Sequence, residues 1–467
     1  MELTMSSAIW QVMIDAAIMG GLLVVGELIR AKVKIFQKIL VPPAVIAGFL
    51  ALFFGPKSPW GLNLLPLSDS FGTYASVLIV FVFAATPLGD KGSGGKALNR
   101  ETGGMFFNIS GIAVLQYAVG MTVTLLVLMK LYPEMNSAFG LMMATGFYGG
   151  HGTAASVGSN LTNLGIEGMQ DLGNTTATIG IVGGILSGML LINWGTRAGY
   201  THYVEDPKEL PQSMRTGLIP AEEQKPSGLA TINNICIDQM AFHLGLVLLC
   251  SLAGYEVCQW FKSFSKGAFG LSIEIPAFCL SLFAGLLLNM FLNKSGGQKY
   301  IDRPTIQRIQ GASTDFLMVS GIGSMNTKVV MDYAVPLIVV CLLGFLANWF
   351  WFIFVGGKTA TKDWFERNMM CWGHATGVAA TGVLLQRVVD PDLKSRGIED
   401  SGIADIFNRP IIIGLQVIPP ILISTMGSVK GGWVTCIASW VIVIAMWIMA
   451  WAFKWWDPHM KLKKYRE

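Results

Sequence analysis

Apolar residues run along this chain in blocks of about twenty separated by short polar segments, the pattern of a polytopic membrane protein. In the first half the blocks fall at 8–29, 37–54, 71–89, 103–129 and 174–196. In the second they fall at 234–259, 268–292, 309–327, 331–355 and 405–427, with an extra one at 431–456. Each predicts a membrane-crossing helix. Two further apolar stretches, 138–158 and 368–386, are so broken by glycine that they predict re-entrant segments, entering the membrane and turning back. The stretch 197–233 is polar, charged and Pro-bearing, and predicts a cytoplasmic linker between the halves.

The expected fold is all-α: a first repeat over 1–196, the linker over 197–233, a second repeat over 234–427, and an added helix with a basic tail over 428–467. Composition agrees, with 52% hydrophobic and 13% charged residues, where a soluble domain carries about a quarter charged. Nothing before Arg30 is Lys or Arg, so the first block reads as a retained span with its N-terminus outside. With both glycine-rich stretches re-entrant, all but six of the 33 Lys and Arg residues lie on the cytoplasmic side. The six are Lys57, Lys130, Lys262, Lys266, Lys328 and Lys430. That bias obeys the positive-inside rule and leaves the C-terminal tail in the cytoplasm. If only one glycine-rich stretch crossed, every later loop would flip. The seven cysteines all lie in the second half and form no C-x-x-C pair. They read as packing residues, with no disulfide framework or metal site. No basic run with interleaved aromatics suggests nucleic acid.

The halves echo each other. Gly150-His151-Gly152-Thr153 matches Gly373-His374-Ala375-Thr376, and Val41-Pro42-Pro43-Ala44 matches Ile275-Pro276-Ala277. Five crossings per half is an odd number, so the second copy must enter the membrane from the opposite face. Inverted repeats with interrupted helices near the midplane are the signature of secondary transporters.

Backbone without helical hydrogen bonds is tolerated at membrane depth only where protein or water satisfies it. A turn within Thr145–Thr153 would point free N–H groups of the following half-helix at a carboxylate. Leftover carbonyls and Thr hydroxyls suit Na⁺. The candidate site is therefore Gly149, Gly150, His151, Gly152 and Thr153 with Gly373, His374, Ala375, Thr376 and Gly377, the Na⁺ ligands being drawn from Thr153, Thr376 and hairpin carbonyls. For His151 and His374 three readings stand open: bracing the hairpin backbone, coupling protons, or touching substrate. No further ligands nearby support metal binding. Asp15 is a charged candidate inside the first span; Asp238, Glu256 and Glu274 sit near span ends. Asn108, Gln116, Asn193 and Asn348 read as interhelical links. Pro42, Pro43 and Pro276 either begin helices or kink them.

On Gly149-Gly150-His151-Gly152-Thr153, Gly373-His374-Ala375-Thr376-Gly377 and the VPPAVIAG run at 41–48, the chain resembles the sodium/glutamate symporter family of bacterial inner membranes. The similarity is spread over most of residues 1–427. It implies two five-span inverted repeats, re-entrant hairpins forming the site, and Na⁺-coupled uptake of glutamate or a related small carboxylate. It also implies a homodimer in the inner membrane with a moving transport domain. The second hairpin reads G-H-A-T-G where the family pattern leads one to expect G-H-G, and the span after 427 is an addition. Arg409, at the start of the tenth span, is either a partner for a second carboxylate or an interfacial anchor. No organic cofactor is implied, with Na⁺ entering as the coupling ion. A proton-coupled or exchange carrier for another organic acid is the competing transporter, and a transporter-like membrane sensor a more distant one. No nucleophile–base pair or phosphate loop suggests an enzyme.

Overall fold

A computed structural model describes residues 5–38, 41–89, 99–204, 216–224, 226, 228–233, 235–269, 277–391 and 394–465. Glu274 and Ile275-Pro276 lie outside these, as do the linker residues 205–215 and the basic residues Lys91, Lys96, Lys208, Arg215, Lys225 and Arg466. All regular structure among the described residues is helical. In chain order the helices are α1 Met5–Lys32, α2 Pro43–Phe54, α3 Tyr74–Ala85 and α4 Arg100–Val123, which continues through a π-turn at Thr124–Leu128. Then follow α5 Met142–Phe147, α6 Gly150–Asn163, α7 Met169–Arg197, α8 Gln239–Phe269 and α9 Ala277–Ser295. The last are α10 Arg303–Gly323, α11 Ala334–Phe354, α12 Trp364–Val389, α13 Gly397–Met426 and α14 Ser428–Ala452.

Seven of these helices are long and apolar enough to cross a membrane: α1, α4, α7, α8, α11, α13 from Phe407 onward, and α14. This is an integral membrane protein. The other four blocks predicted as spans also form helices, but differ in length or polarity. α2 and α3 have 12 residues each, about 18 Å at 1.5 Å per residue, against a hydrocarbon core of about 30 Å. The apolar part of α9 covers Leu280–Ser295, and α10 carries Arg303, Arg308 and Asp315. Of the two proline readings, the structure takes the first: Pro43 opens α2 from Pro42 as its cap residue.

The chain groups into two compact units that cut across the order of the halves. One comprises Met1–Lys34, Val41–Gly95 and Thr216–Asn326, hence α1–α3 and α8–α10. Here α10 packs on α2 and α3, and α8 on α9, through small residues that let backbones approach. Ile322 of α10 fills the space left by Gly48 of α2, and Gly254 of α8 meets Ser281 of α9. Asp15 is buried here with its carboxylate fully engaged. It accepts from Ser68 N (2.9 Å), Ser68 Oγ (2.6 Å), Tyr74 Oη (3.0 Å) and Gln11 Nε2 (3.0 Å). The carboxylate thus ties α1 to the approach to α3.

The other unit comprises Ile35–Leu40, Lys96–Arg215 and Thr327–Glu467, and holds both glycine-rich stretches. Its core surrounds α4, against which α13 and α14 lie. Phe107, Trp351 and Trp447 form an aromatic cluster beside it. The added helix α14 is an integral part of this unit: Ser428 at its start exchanges two hydrogen bonds with Ser137, Oγ accepting from N at 2.8 Å and O from Oγ at 2.6 Å.

Candidate functional site

In the first glycine-rich stretch the chain reverses. A 3-10 turn over Ser137–Leu141 leads into α5, the helix breaks at Tyr148–Gly149, and α6 departs from Gly150. Gly150 has φ +64, a left-handed conformation that costs an L-residue about 1–2 kcal/mol. Met142 of the incoming arm and Ala154 of the outgoing arm both lie against Gly173 of α7, while Gly158 farther out packs on Gln170. Incoming and outgoing arms are therefore antiparallel, a helical hairpin. The N–H groups of Gly150, His151, Gly152 and Thr153, in the first turn of α6, have no intrahelical acceptor.

The second stretch reverses inside α12, where Gly377 (φ −163, ψ 38) and Val378 (φ 69, ψ 169) are non-helical. Gly373 before the break packs on Gly382 after it, its Cβ position lying 2.5 Å from Gly382 Cα. A β-branched residue at positive φ is an outlier that costs about 1–3 kcal/mol and persists only where its surroundings hold it. Local strain thus marks the tip.

Both hairpins lie along α7. Phe365, Trp372 and Thr376 of the second pack at Gly195, Gly188 and Gly184, running up α7 from its C-terminal end. Residues of the first run down from Gly180 toward the N-terminal end. The tips converge at mid-helix, where Gly180 faces both Phe147 and the Thr376 carbonyl. A Cβ on Gly150 would come within 2.5 Å of Val378 Cγ1. The rings of Tyr148 and His374 stack at 4.7 Å with an interplanar angle of 12°. The two motifs paired from the sequence are in this way brought together, tip to tip.

Among the described residues, the polar groups at this meeting are only partly satisfied. Thr178 Oγ1 donates to the Asn174 carbonyl (3.0 Å), so its bond with His151 Nε2 (2.9 Å) must be one it accepts. His151 Nε2 therefore carries a proton, and Nδ1 is buried without a partner. His374 Nδ1 is likewise buried and unpartnered. Thr153 Oγ1 accepts from Gln416 Nε2 at 3.4 Å, leaving Gln416 Oε1 free. Asn408 Nδ2 donates to Tyr148 Oη while Asn408 Oδ1 has no partner. Thr376 Oγ1 donates back to the Trp372 carbonyl at 2.9 Å. Behind the second tip, Gln116 Nε2 of α4 donates to the Ala375 carbonyl (2.7 Å) and to Asn348 Oδ1 (2.9 Å). Asn108 Nδ2 bonds Asn368 Oδ1 at 3.0 Å. These are the interhelical links read from the sequence, except that Asn193 bonds the Met189 carbonyl of its own helix.

The foot of the second hairpin is fastened differently, by a short, buried ion pair. Arg367 pairs with Asp400 at 2.7 Å, both side chains 7% exposed, and also donates to the carbonyls of Ser395 (3.1 Å) and Glu101 (3.2 Å). Beside it, Asp363 is held by His202 Nδ1 (2.7 Å) and Tyr203 Oη (2.9 Å), and its N–H donates to Tyr465 Oη (2.8 Å). Partial burial, with the Asp363 carboxylate alongside, pushes the Tyr465 phenol up to about 12. The tail past α14 thereby docks on the foot of α12.

A family model described as sodium/glutamate symporter matches residues 9–386. The chain belongs to that family. Its members are sodium-coupled transporters, and the matched residues include both tips; α13 and α14 lie beyond them. No curated protein matches. At the meeting of the tips, Tyr148, Val378, Asn408 and Gln416 are residues that the sequence did not single out. Tyr148 and Val378 border the quoted motifs and were within reach. Asn408 and Gln416 stand about 260 residues from their partners, with only their polarity in an apolar block to signal them.

Proposed function

We propose that this chain takes up glutamate or a closely related small carboxylate across the inner membrane with Na⁺, by alternating access around the two tips. The supporting observation is their convergence at the middle of α7 from its opposite ends. If α7 crosses the bilayer once, the hairpins enter from opposite faces and meet at the midplane, as in an inverted repeat. The first turn of α6 presents free N–H groups to an anion. Cation ligands are near: Thr153 Oγ1, Gln416 Oε1, and the carbonyls of Leu415 and Gln416. Pro419 and Pro420 inside α13 deprive those two carbonyls of their helical partners. Hard oxygen donors of this kind suit Na⁺. With the N-terminus outside, the foot of the second hairpin and the tail lie in the cytoplasm.

The test is glutamate uptake into proteoliposomes with external Na⁺ replaced by K⁺ at fixed pH. Abolished uptake is expected, and unchanged uptake ends the sodium reading. Thr153→Val should raise the half-saturating Na⁺ concentration about tenfold, the equivalent of about 1.4 kcal/mol. Thr376→Val, whose hydroxyl is turned to its own helix, should change it less.

A further inference from the structure

Asp405 and Arg409 stand one turn apart on α13, on either side of Asn408, which bonds Tyr148 at the first tip. They therefore lie level with the meeting of the hairpins. The helix α13 itself begins at Gly397, twelve residues before Arg409. Both charges lie close enough to Tyr148 and His374 to act on them electrostatically.

The pair is open. Arg409 Nη2 lies 3.9 Å from Asp405 Oδ2, and the side chains are 38% and 27% exposed. Neither side chain makes a hydrogen bond to any described residue. Earlier on the same helix, Asp400 with Arg367 shows what a tight structural pair looks like here: 2.7 Å apart, nearly buried, with two carbonyls and the Thr102 hydroxyl making further bonds to it. A guanidinium offers five N–H donors in a fork that matches a carboxylate, and charges at membrane depth are costly unless they serve a ligand or a partner. Around the open pair, His374 Nδ1 and Asn408 Oδ1 are buried and have no partner among the described residues. Pro410 also removes the N–H that would have bonded the Ile406 carbonyl. Here a full donor fork, a carboxylate and spare acceptors occupy one turn.

We infer that Asp405 and Arg409 read the two opposite charges of an α-amino acid, Arg409 taking a carboxylate and Asp405 the ammonium. Without substrate the loose pair compensates itself; a zwitterion replaces that weak contact with two better ones. This rests on the transport reading above and narrows it, because a dicarboxylate without an amino group leaves Asp405 uncompensated beside a second anion.

The experiment compares glutamate with glutarate, the same carbon chain lacking the amino group, as competitors of Na⁺-driven glutamate uptake in proteoliposomes. The wild type should prefer glutamate about 10²-fold or more, since a site built for a polar group rejects the analogue without it. Asp405→Asn should shrink that preference at least about tenfold, and Arg409→Gln should raise the glutamate KM by a similar factor. Arg409→Lys, which keeps the charge and loses the fork, should fall between and serves if Arg409→Gln does not insert. Unchanged preference in Asp405→Asn together with an unchanged KM in the Arg409 variants makes this a structural ion pair and overturns the inference. Wild-type uptake of neither acid overturns the transport reading instead. In that case thermal stabilisation of purified protein by amino acids over their deaminated counterparts, lost in Asp405→Asn, still supports the pair. Equal stabilisation by both acids refutes it.

Discussion

Placing a methyl group on Gly150 tests whether the hairpin tips touch. Two effects add in Gly150→Ala. The residue holds φ +64, which costs alanine about 1–2 kcal/mol. Its new Cβ falls 2.5 Å from Val378 Cγ1, an overpacking that costs about 1–3 kcal/mol. The sum is about 2–5 kcal/mol, enough to lower thermal unfolding in detergent by several degrees and to slow uptake strongly. Only the second part depends on the opposite tip. Val378→Gly removes the obstructing methyl and relieves a strained backbone worth about 1–3 kcal/mol, so in the Gly150→Ala background it should recover more than the clash term. A double-mutant cycle on unfolding temperature and initial uptake rate reads the coupling directly. If the two changes simply add, within about 0.3–0.5 kcal/mol, the tips are not in contact and the site described here is wrong.

Three further outcomes are expected. Arg367→Met strands the buried Asp400 carboxylate and should cost about 3–5 kcal/mol, most of it restored by adding Asp400→Leu; a single variant as heat-stable as wild type contradicts the closed foot. Gln116→Leu leaves the Ala375 carbonyl and Asn348 amide unmet, about 1–3 kcal/mol, and should be non-additive with Asn348→Leu in a thermal unfolding cycle. Tyr465→Phe removes its hydrogen bonds with Asp363 and should speed tryptic cleavage at Lys461–Lys464. Identical cleavage rates would mean that the tail is not docked.

The hydropathy pattern located the seven long apolar helices, and glycine density marked both helix breaks to within a few residues of Gly150 and Gly377. Physical reasons explain what it could not locate. Arg409 stands near the start of its apolar span, which opens at Phe407; the preceding turns of α13 could not be read because they are polar and yet helical, held by Arg367 from another element. Asp315, mid-way along α10, went unremarked because the flanking apolar residues carry the window average. The two units were illegible, since an apolar face records burial without naming the neighbour that buries it. Tip-to-tip contact was inferable from symmetry alone, but the Tyr148–His374 stack needed coordinates.

The single helix α7 carries both hairpins on its glycines, and this restricts how the chain can vary. A larger side chain at Gly180 or Gly184 would press on Phe147 and Thr376 in segments far apart along the polypeptide. A suppressor of damage in one tip should therefore arise in the other, or on the spine between them, more readily than beside the original lesion.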